Sequence, residues 1–257
     1  MPALGHLLRT FGIDIRRFQS ACRNLVRYRA ERDDFKAKLG GDFAWGDELP
    51  ILDERDADSG QLGAYFHQDL LIARWILEAN PARHVDVGSR LDGFVGHLSL
   101  VREVEVLDIR PQPARVPGVT FHQLDLMAPL PTEWVAATDS LSCLHTIEHF
   151  GLGRYGDAID PQGHLKGLAR LKRMVKPGGK LYLSTPIGSQ RIEFNAHRIF
   201  AAATLPGWFA DGWEIERFAY IDDECCVHTG VDWNSPEAVR SFGCHAGVGI
   251  VVARKIV

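Results

Sequence analysis

From Gly63 onward, short apolar runs alternate with stretches of helical spacing. Leu70, Leu71, Ala73, Ile76 and Leu77 form a helical stripe that stops before Asn80 and Pro81. The run His84-Val-Asp-Val87 reads as a buried strand that empties into a glycine-containing turn, Gly88 to Gly93, and a helix is predicted over 94–101. Strands are predicted at Val104–Asp108, over 119–126 and in the run Asp139–Leu144. A helix over 161–176, a Lys176-Pro-Gly-Gly179 turn and a strand at Lys180–Thr185 follow. The tail predicts strands at Ile215–Ile221 and Val248–Ile256, an antiparallel closing pair, with Pro236 opening a short helix between them. Strands alternating with helices predict an α/β fold with a mostly parallel sheet. Ahead of it, Ile13, Ile15, Phe18, Cys22, Leu25, Val26 and Phe35 predict one or two amphipathic helices, and the acidic, aperiodic residues 41–60 a connecting loop. The expected organisation is therefore 1–60 as a helical extension with its loop and 61–257 as the main domain.

Composition narrows the class. The apolar fraction of 46% and charged fraction of 24% over 257 residues are those of a soluble globular protein. A net charge of -4 gives no global reason to expect DNA binding. No apolar run approaches the roughly 20 residues of a membrane span. Five cysteines without a CxxC argue against a disulfide framework or a zinc-thiolate site, and so for a reducing, cytoplasmic compartment. The basic face of Arg16, Arg17, Arg23, Arg27 and Arg29 suits a solvated helix, or peripheral contact with an anionic membrane, a phosphate-bearing substrate or another protein.

The candidate chemistry gathers where the run before His145 stops at Thr146-Ile-Glu148-His149-Phe150. Ligands of open α/β sheets bind at the carboxyl ends of the strands. If a helix begins near His145, then His145, Glu148 and His149 share one of its faces. That set suits a divalent metal or proton transfer, or simply the first turn of a solvated helix. Gly88 at a strand-to-helix turn is a nucleotide-site geometry, and Asp108, about 20 residues further on, is a ribose acceptor in such folds. Asp125 ends the next strand. Each aspartate alone also fits a turn or a helix cap.

Assembled in this order, the chain resembles a class I S-adenosylmethionine-dependent methyltransferase from about residue 63 to 257. The resemblance implies a Rossmann-like, seven-stranded, mostly parallel sheet with an antiparallel closing strand. Tyr65-Phe-His-Gln-Asp69, Val87-Gly-Ser-Arg-Leu-Asp-Gly-Phe94, the segment from Leu144 to Asp157, and Phe194-Asn-Ala-His-Arg198 are similar to an uncharacterised methyltransferase-like group of bacteria and nematodes, domain of unknown function 268. It implies S-adenosyl-L-methionine as cofactor, bound by Gln68, Asp86, Gly88, Ser89, Arg90, Asp108, Ile109, Asp125, Leu126 and Cys143. In it Asp108 holds the ribose and Asp125 the adenine amino group. Arg90 and Asp92 stand where the usual loop repeats glycine; they either narrow the donor site or place Arg90 against the methionine carboxylate. His145-x-x-Glu148-His149 with a later His197 is also similar to the metal ligands of small-RNA terminal 2'-O-methyltransferases. That likeness implies a bound divalent metal, softer than magnesium because histidine replaces the first glutamate. Without one, His149 or His145 is the general base and Glu148 orients it.

The function these readings imply is methyl transfer to a hydroxyl of a sugar, a polysaccharide precursor or a related polyol, so that the partner is a small-molecule or glycan acceptor. The alternative is a non-catalytic methyltransferase-like scaffold in glycan assembly. A nicotinamide-dependent oxidoreductase is disfavoured, because Gly88 and Gly93 do not make a G-x-G-x-x-G. Tyr155, Phe194, Trp208 and Trp213 suit stacking on a sugar ring, or core packing.

Overall fold

In the computed structural model, residues 4–41, 43–52 and 62–257 are described. They divide into two units, Met1–Gln61 and Leu62–Val257.

In the first unit, α1 (Leu4–Thr10) precedes α2 (Ile15–Lys38). Asp14 caps α2, its carboxylate accepting the backbone N–H groups of Arg16 and Arg17 that the first turn leaves unpaired. Residues 43–52 run along α2 without helix or strand. Glu48 there accepts hydrogen bonds from Tyr28, Arg32 and Lys36, and Trp45 packs against Phe35. The rest of the expected acidic loop, 53–60, lies outside the described residues.

The second unit is built on β1 (His84–Val87), β2 (Val104–Asp108), β3 (Val119–Gln123), β4 (Thr138–Leu144) and β5 (Val175–Ile187), all parallel. A hairpin of β6 (Arg191–Glu193) and β7 (His197–Ile199) follows. Then come β8 (Trp213–Ile221), β9 (Val227–Thr229) and β10 (Gly247–Lys255). The sheet order is β3-β2-β1-β4-β5-β10-β8-β9, with β10 antiparallel to both neighbours. The sheet thus has eight strands, not the expected seven. The extra strand is β9, which Asp222 folds back onto β8 by accepting the backbone N–H groups of Glu224 and Cys226. Three residues are too short a run to show strand periodicity.

Both faces of the sheet are covered, which is why its central strands read as continuous apolar runs. Val85, Val87, Leu141, Leu181, Leu183 and Val251 pack with Leu168, Leu171 and Met174 of α5 (Gly163–Met174) on one side. On the other, Val104, Val106, Ile250 and Val252 meet Ile72 and Ile76 of α3 (Ala64–Ala79) and Phe94 and Leu98. Leu70 and Leu77 of the expected stripe are exposed, and α3 instead buries Gln68 and Asp69. Its inner face carries polar groups because it also walls the site described below.

The helix expected over 94–101 is a π-helical turn, Leu91–Val95, followed by the four-residue α4 (Gly96–Ser99). The carboxylate of Asp69 occupies the space at Gly93: a Cβ there would stand 2.5 Å from its Oδ2. The helix expected over 161–176 is the shorter α5, and the short helix at Pro236 is α6 (Pro236–Val239), capped by Ser235. No helix among the described residues is long and apolar enough to cross a membrane.

Gly167 of α5 faces the ring of Phe150, where a Cβ would lie 2.2 Å from Cδ2. A Gly167→Ala substitution should therefore cost about 1–3 kcal/mol by overpacking, despite alanine's better helix propensity. Urea unfolding measures it, and a stabilised variant would mean that Phe150 moves aside freely.

Candidate active site

The carboxyl ends of β1, β2 and β4 open onto a cavity of about 540 Å³, within the range that holds cofactors and small substrates. Gly88 ends β1 with φ of 68°, and a Cβ there would lie 2.4 Å from Thr146 Cγ2. The backbone can pass that close to Thr146, and stay open to a ligand, only without a side chain. Asp86 lies beneath this turn and is fully buried, so it does not line the cavity. Its carboxylate accepts hydrogen bonds from Ser89 N, Ser89 Oγ and Ser142 Oγ, which tie the turn to β4. Burial raises its pKa to about 6, against the pull of those bonds.

Asp108, at the end of β2, lines the cavity together with Ile109. Its carboxylate receives Arg110 in a forked ion pair at 2.6 and 2.9 Å. Asp125 and Leu126 line the same wall, and Asp125 Oδ1 accepts the N–H of Met127. Ser89 and Arg90, in the turn after β1, line the cavity too, Arg90 paired with Asp92. From α3, Gln68 accepts a 2.6 Å bond from Ser184 Oγ and donates to Asp69, so both are held at the cavity edge. Burial raises the pKa of Asp69. Cys143 is buried within β4, does not line the cavity, and has its thiol pKa pushed up by burial.

The histidine cluster is not helical. His145 has φ of 48°, in the left-handed region, and only a 3₁₀ turn, Ile147–His149, follows. Arg198, 4% exposed, braces this turn, its guanidinium donating to the carbonyls of Glu148, Phe150, Asp160 and Pro161. The cluster converges all the same, because Glu148, only 1% exposed, has Oε1 3.1 Å from His145 Nδ1 and 3.9 Å from His149 Nε2. Tyr65 closes the group with its hydroxyl 3.3 Å from His145 Nδ1. Burial pushes the Tyr65 pKa up to about 12, so it stays a phenol. His145 and His149 face the cavity while Glu148 stands behind them.

His149 Nδ1 lies 2.7 Å from the carbonyl of Ala196, which fixes the tautomer with Nδ1 protonated and Nε2 able to accept. Burial lowers its pKa, partly offset by Glu148. Of the four expected ligands, His197 turns its Nε2 to Glu193 at 3.3 Å and Glu148 does not line the cavity. Among the described residues no group of three or more His, Cys, Asp or Glu side chains is arranged to hold a metal ion. The four-ligand set expected from the sequence is thereby corrected to a hydrogen-bonded acid–histidine cluster.

Of the aromatic candidates, only Tyr155 lines the cavity, edge-on to His149 and with Arg110 and Arg154 over its ring at 4.5 and 5.2 Å. Trp208 and Trp213 pack on Phe200 and Phe209, and Phe194 is exposed away from the cavity. Tyr65, Asp69 and Arg198 were not assigned roles from the sequence, although the segments that contain them stood out in it.

Comparison with known proteins bears on the fold. A putative sarcosine dimethylglycine methyltransferase from Galdieria sulphuraria superposes with a TM-score of 0.51 at 14% identity, over 73% of this chain and 84% of that one. The N-methyltransferase NodS from Bradyrhizobium japonicum, in complex with S-adenosyl-L-homocysteine, gives 0.50 at 12%, over 74% and 86%. The [4+2]-cyclase SpnF gives 0.50 at 16%, over 74% and 81%. The fold is that of the class I S-adenosylmethionine-dependent methyltransferases. Residues 121–226, from β3 through the histidine cluster to the turn before β9, match the family described as Caenorhabditis protein of unknown function, DUF268. No curated protein matches the chain. Since a cyclase shares the fold, the reaction must be argued from the site.

Proposed function

We propose that the chain binds S-adenosyl-L-methionine in this cavity and methylates a hydroxyl of a sugar, polysaccharide precursor or related polyol. The observation that carries the reading is His149: a neutral imidazole with Nδ1 fixed and Nε2 accepting, at the wall of a cavity that Gly88 and Asp108 also line. The residues fit the donor. The turn at Gly88 admits close backbone approach, Asp108 suits the ribose hydroxyls and Asp125 the adenine amino group. Arg90 suits the methionine carboxylate, and Asp69 its ammonium. Bound there, S-adenosylmethionine supplies a methyl group on a positively charged sulfur.

The acceptor oxygen forms its bond to the methyl carbon as the carbon–sulfur bond breaks, and the electron pair leaves with sulfur. His149 Nε2 takes the hydroxyl proton, and the adjacent carboxylate of Glu148 stabilises the imidazolium that results. Orientation of two reactants and removal of one proton are all that the step requires. The polar lining offered by Arg154, Tyr155 and His197 suits an acceptor rich in hydroxyls.

One observation favours the non-catalytic alternative: Asp108 is already paired with Arg110, so a ribose must compete for that carboxylate. Calorimetric titration with S-adenosylmethionine and S-adenosylhomocysteine separates the readings. A donor site predicts saturable binding of both, weakened roughly 10- to 100-fold in Gly88→Val, which forces a β-branched residue into a left-handed backbone. No heat with either ligand would support the scaffold and overturn the donor assignment.

A further inference from the structure

No residue of α2 is buried. The strap of residues 43–52 covers one side only, through Asn24, Tyr28, Arg32, Phe35 and Lys36. Ile15, Phe18, Cys22 and Val26 recur at i, i+3, i+7 and i+11, and so stack on another side of the helix. Phe18 is 69% and Val26 73% exposed, and Phe11 and Ile13 in the preceding turn are exposed as well. Arg16, Arg23 and Arg27 repeat at the same spacing as a flanking row, and Arg29 falls beside Phe18 and Cys22. From Ile15 to Arg29 there are five arginines and no acid, in a chain whose net charge is -4. The acids Glu31, Asp33 and Asp34 come only afterwards, with Arg27 reaching Glu31 at 3.5 Å.

An exposed apolar stripe beside a dense basic row has two requirements, and they select among partners. A nucleic acid would satisfy the arginines and leave Phe18 and Val26 in water. A protein groove would cover the apolar side chains without calling for the flanking arginines. A bilayer of anionic lipid meets both, with apolar side chains among the acyl chains and guanidinium groups at the headgroups. We propose that α2 is an interfacial helix that holds this protein on anionic membrane through Ile15, Phe18 and Val26 and the arginines beside them. The proposal stands independently of the reading of the active site.

The test is co-sedimentation of the full chain with vesicles of phosphatidylcholine alone and of phosphatidylcholine mixed with phosphatidylglycerol. Expected is binding to the mixed vesicles only, weakened by salt. Combined Arg16→Gln, Arg23→Gln and Arg27→Gln should reduce it about 100-fold, and Phe18→Ser with Val26→Ser should also abolish stable binding. Circular dichroism checks that the helix persists, as it should when no α2 residue is buried. Equal binding to both vesicles, binding to neither, or binding that the variants leave unchanged would overturn the proposal. So would self-association in light scattering that Phe18→Ser abolishes, since the stripe would then be a protein contact.

Discussion

Replacing Arg198 with methionine should destabilise the Leu62–Val257 unit by about 1–3 kcal/mol, because the buried carbonyl of Glu148 loses its guanidinium partner and the part-buried ones lose theirs. Methionine fills much of the arginine's volume, so the loss reports hydrogen bonding more than a cavity. The guanidinium holds Glu148 and Phe150 on one side and Asp160 and Pro161 on the other, and thereby fastens the cluster turn to the start of α5. Arg198→Lys should fall between, since an ammonium cannot span four carbonyls in a fork. Chemical denaturation with a constant m-value measures the effect. A loss under about 1 kcal/mol would mean that water replaces the guanidinium. The same variant should spare the walls formed by Gly88 and Asp108, so donor binding should suffer less than stability.

Much of this architecture was legible because β1, β4 and β5 carry unbroken apolar runs between clear turn residues, and a strand buried on both faces has to. The position of the site followed from the same logic, since polar groups that end such runs collect at one edge of the sheet. What was not legible depended on partners distant in sequence. The spacing of His145, Glu148 and His149 suits a helix, yet His145 takes a left-handed φ of 48° and the turn after it is braced by Arg198, some fifty residues later. The polar inner face of α3 was hidden in the same way: Gln68 and Asp69 are buried because Ser184 and the backbone at Gly93 receive them. The resemblance implied Asp86 as a donor ligand, whereas its partners Ser89 and Ser142 make it an anchor beneath the loop. The metal reading failed for a related reason. It rested on residue types, whereas His149 is oriented by Ala196 and His197 by Glu193, neither of which the motif contains.

The second large effect concerns His149. His149→Gln should lower the methylation rate by about 10²–10⁴-fold while leaving S-adenosylhomocysteine binding nearly unchanged, because glutamine keeps a donor toward Ala196 and cannot accept the acceptor's proton. The pH dependence has a definite sign. Burial holds the imidazole pKa below its ordinary value of 6.5, so the base is neutral at pH 7 and the rate is flat there. Activity should fall only as pH drops through the lowered pKa and the imidazole becomes protonated. Glu148→Gln removes the carboxylate that favours the imidazolium, which should move this acid limb to still lower pH and also reduce the plateau rate. These opposed changes distinguish a positioning and charge-stabilising role for Glu148 from simple damage to the fold, which would lower the plateau without moving the limb. Proton NMR of the imidazole resonance missing in His149→Gln gives the same pKa without any acceptor, and S-adenosylhomocysteine release with a hydroxyl acceptor gives the rate. A His149→Gln variant that keeps the rate of the unaltered protein would remove His149 from the role of general base and shift the assignment to His145, which lines the same cavity and whose buried Nε2 has no partner among the described residues.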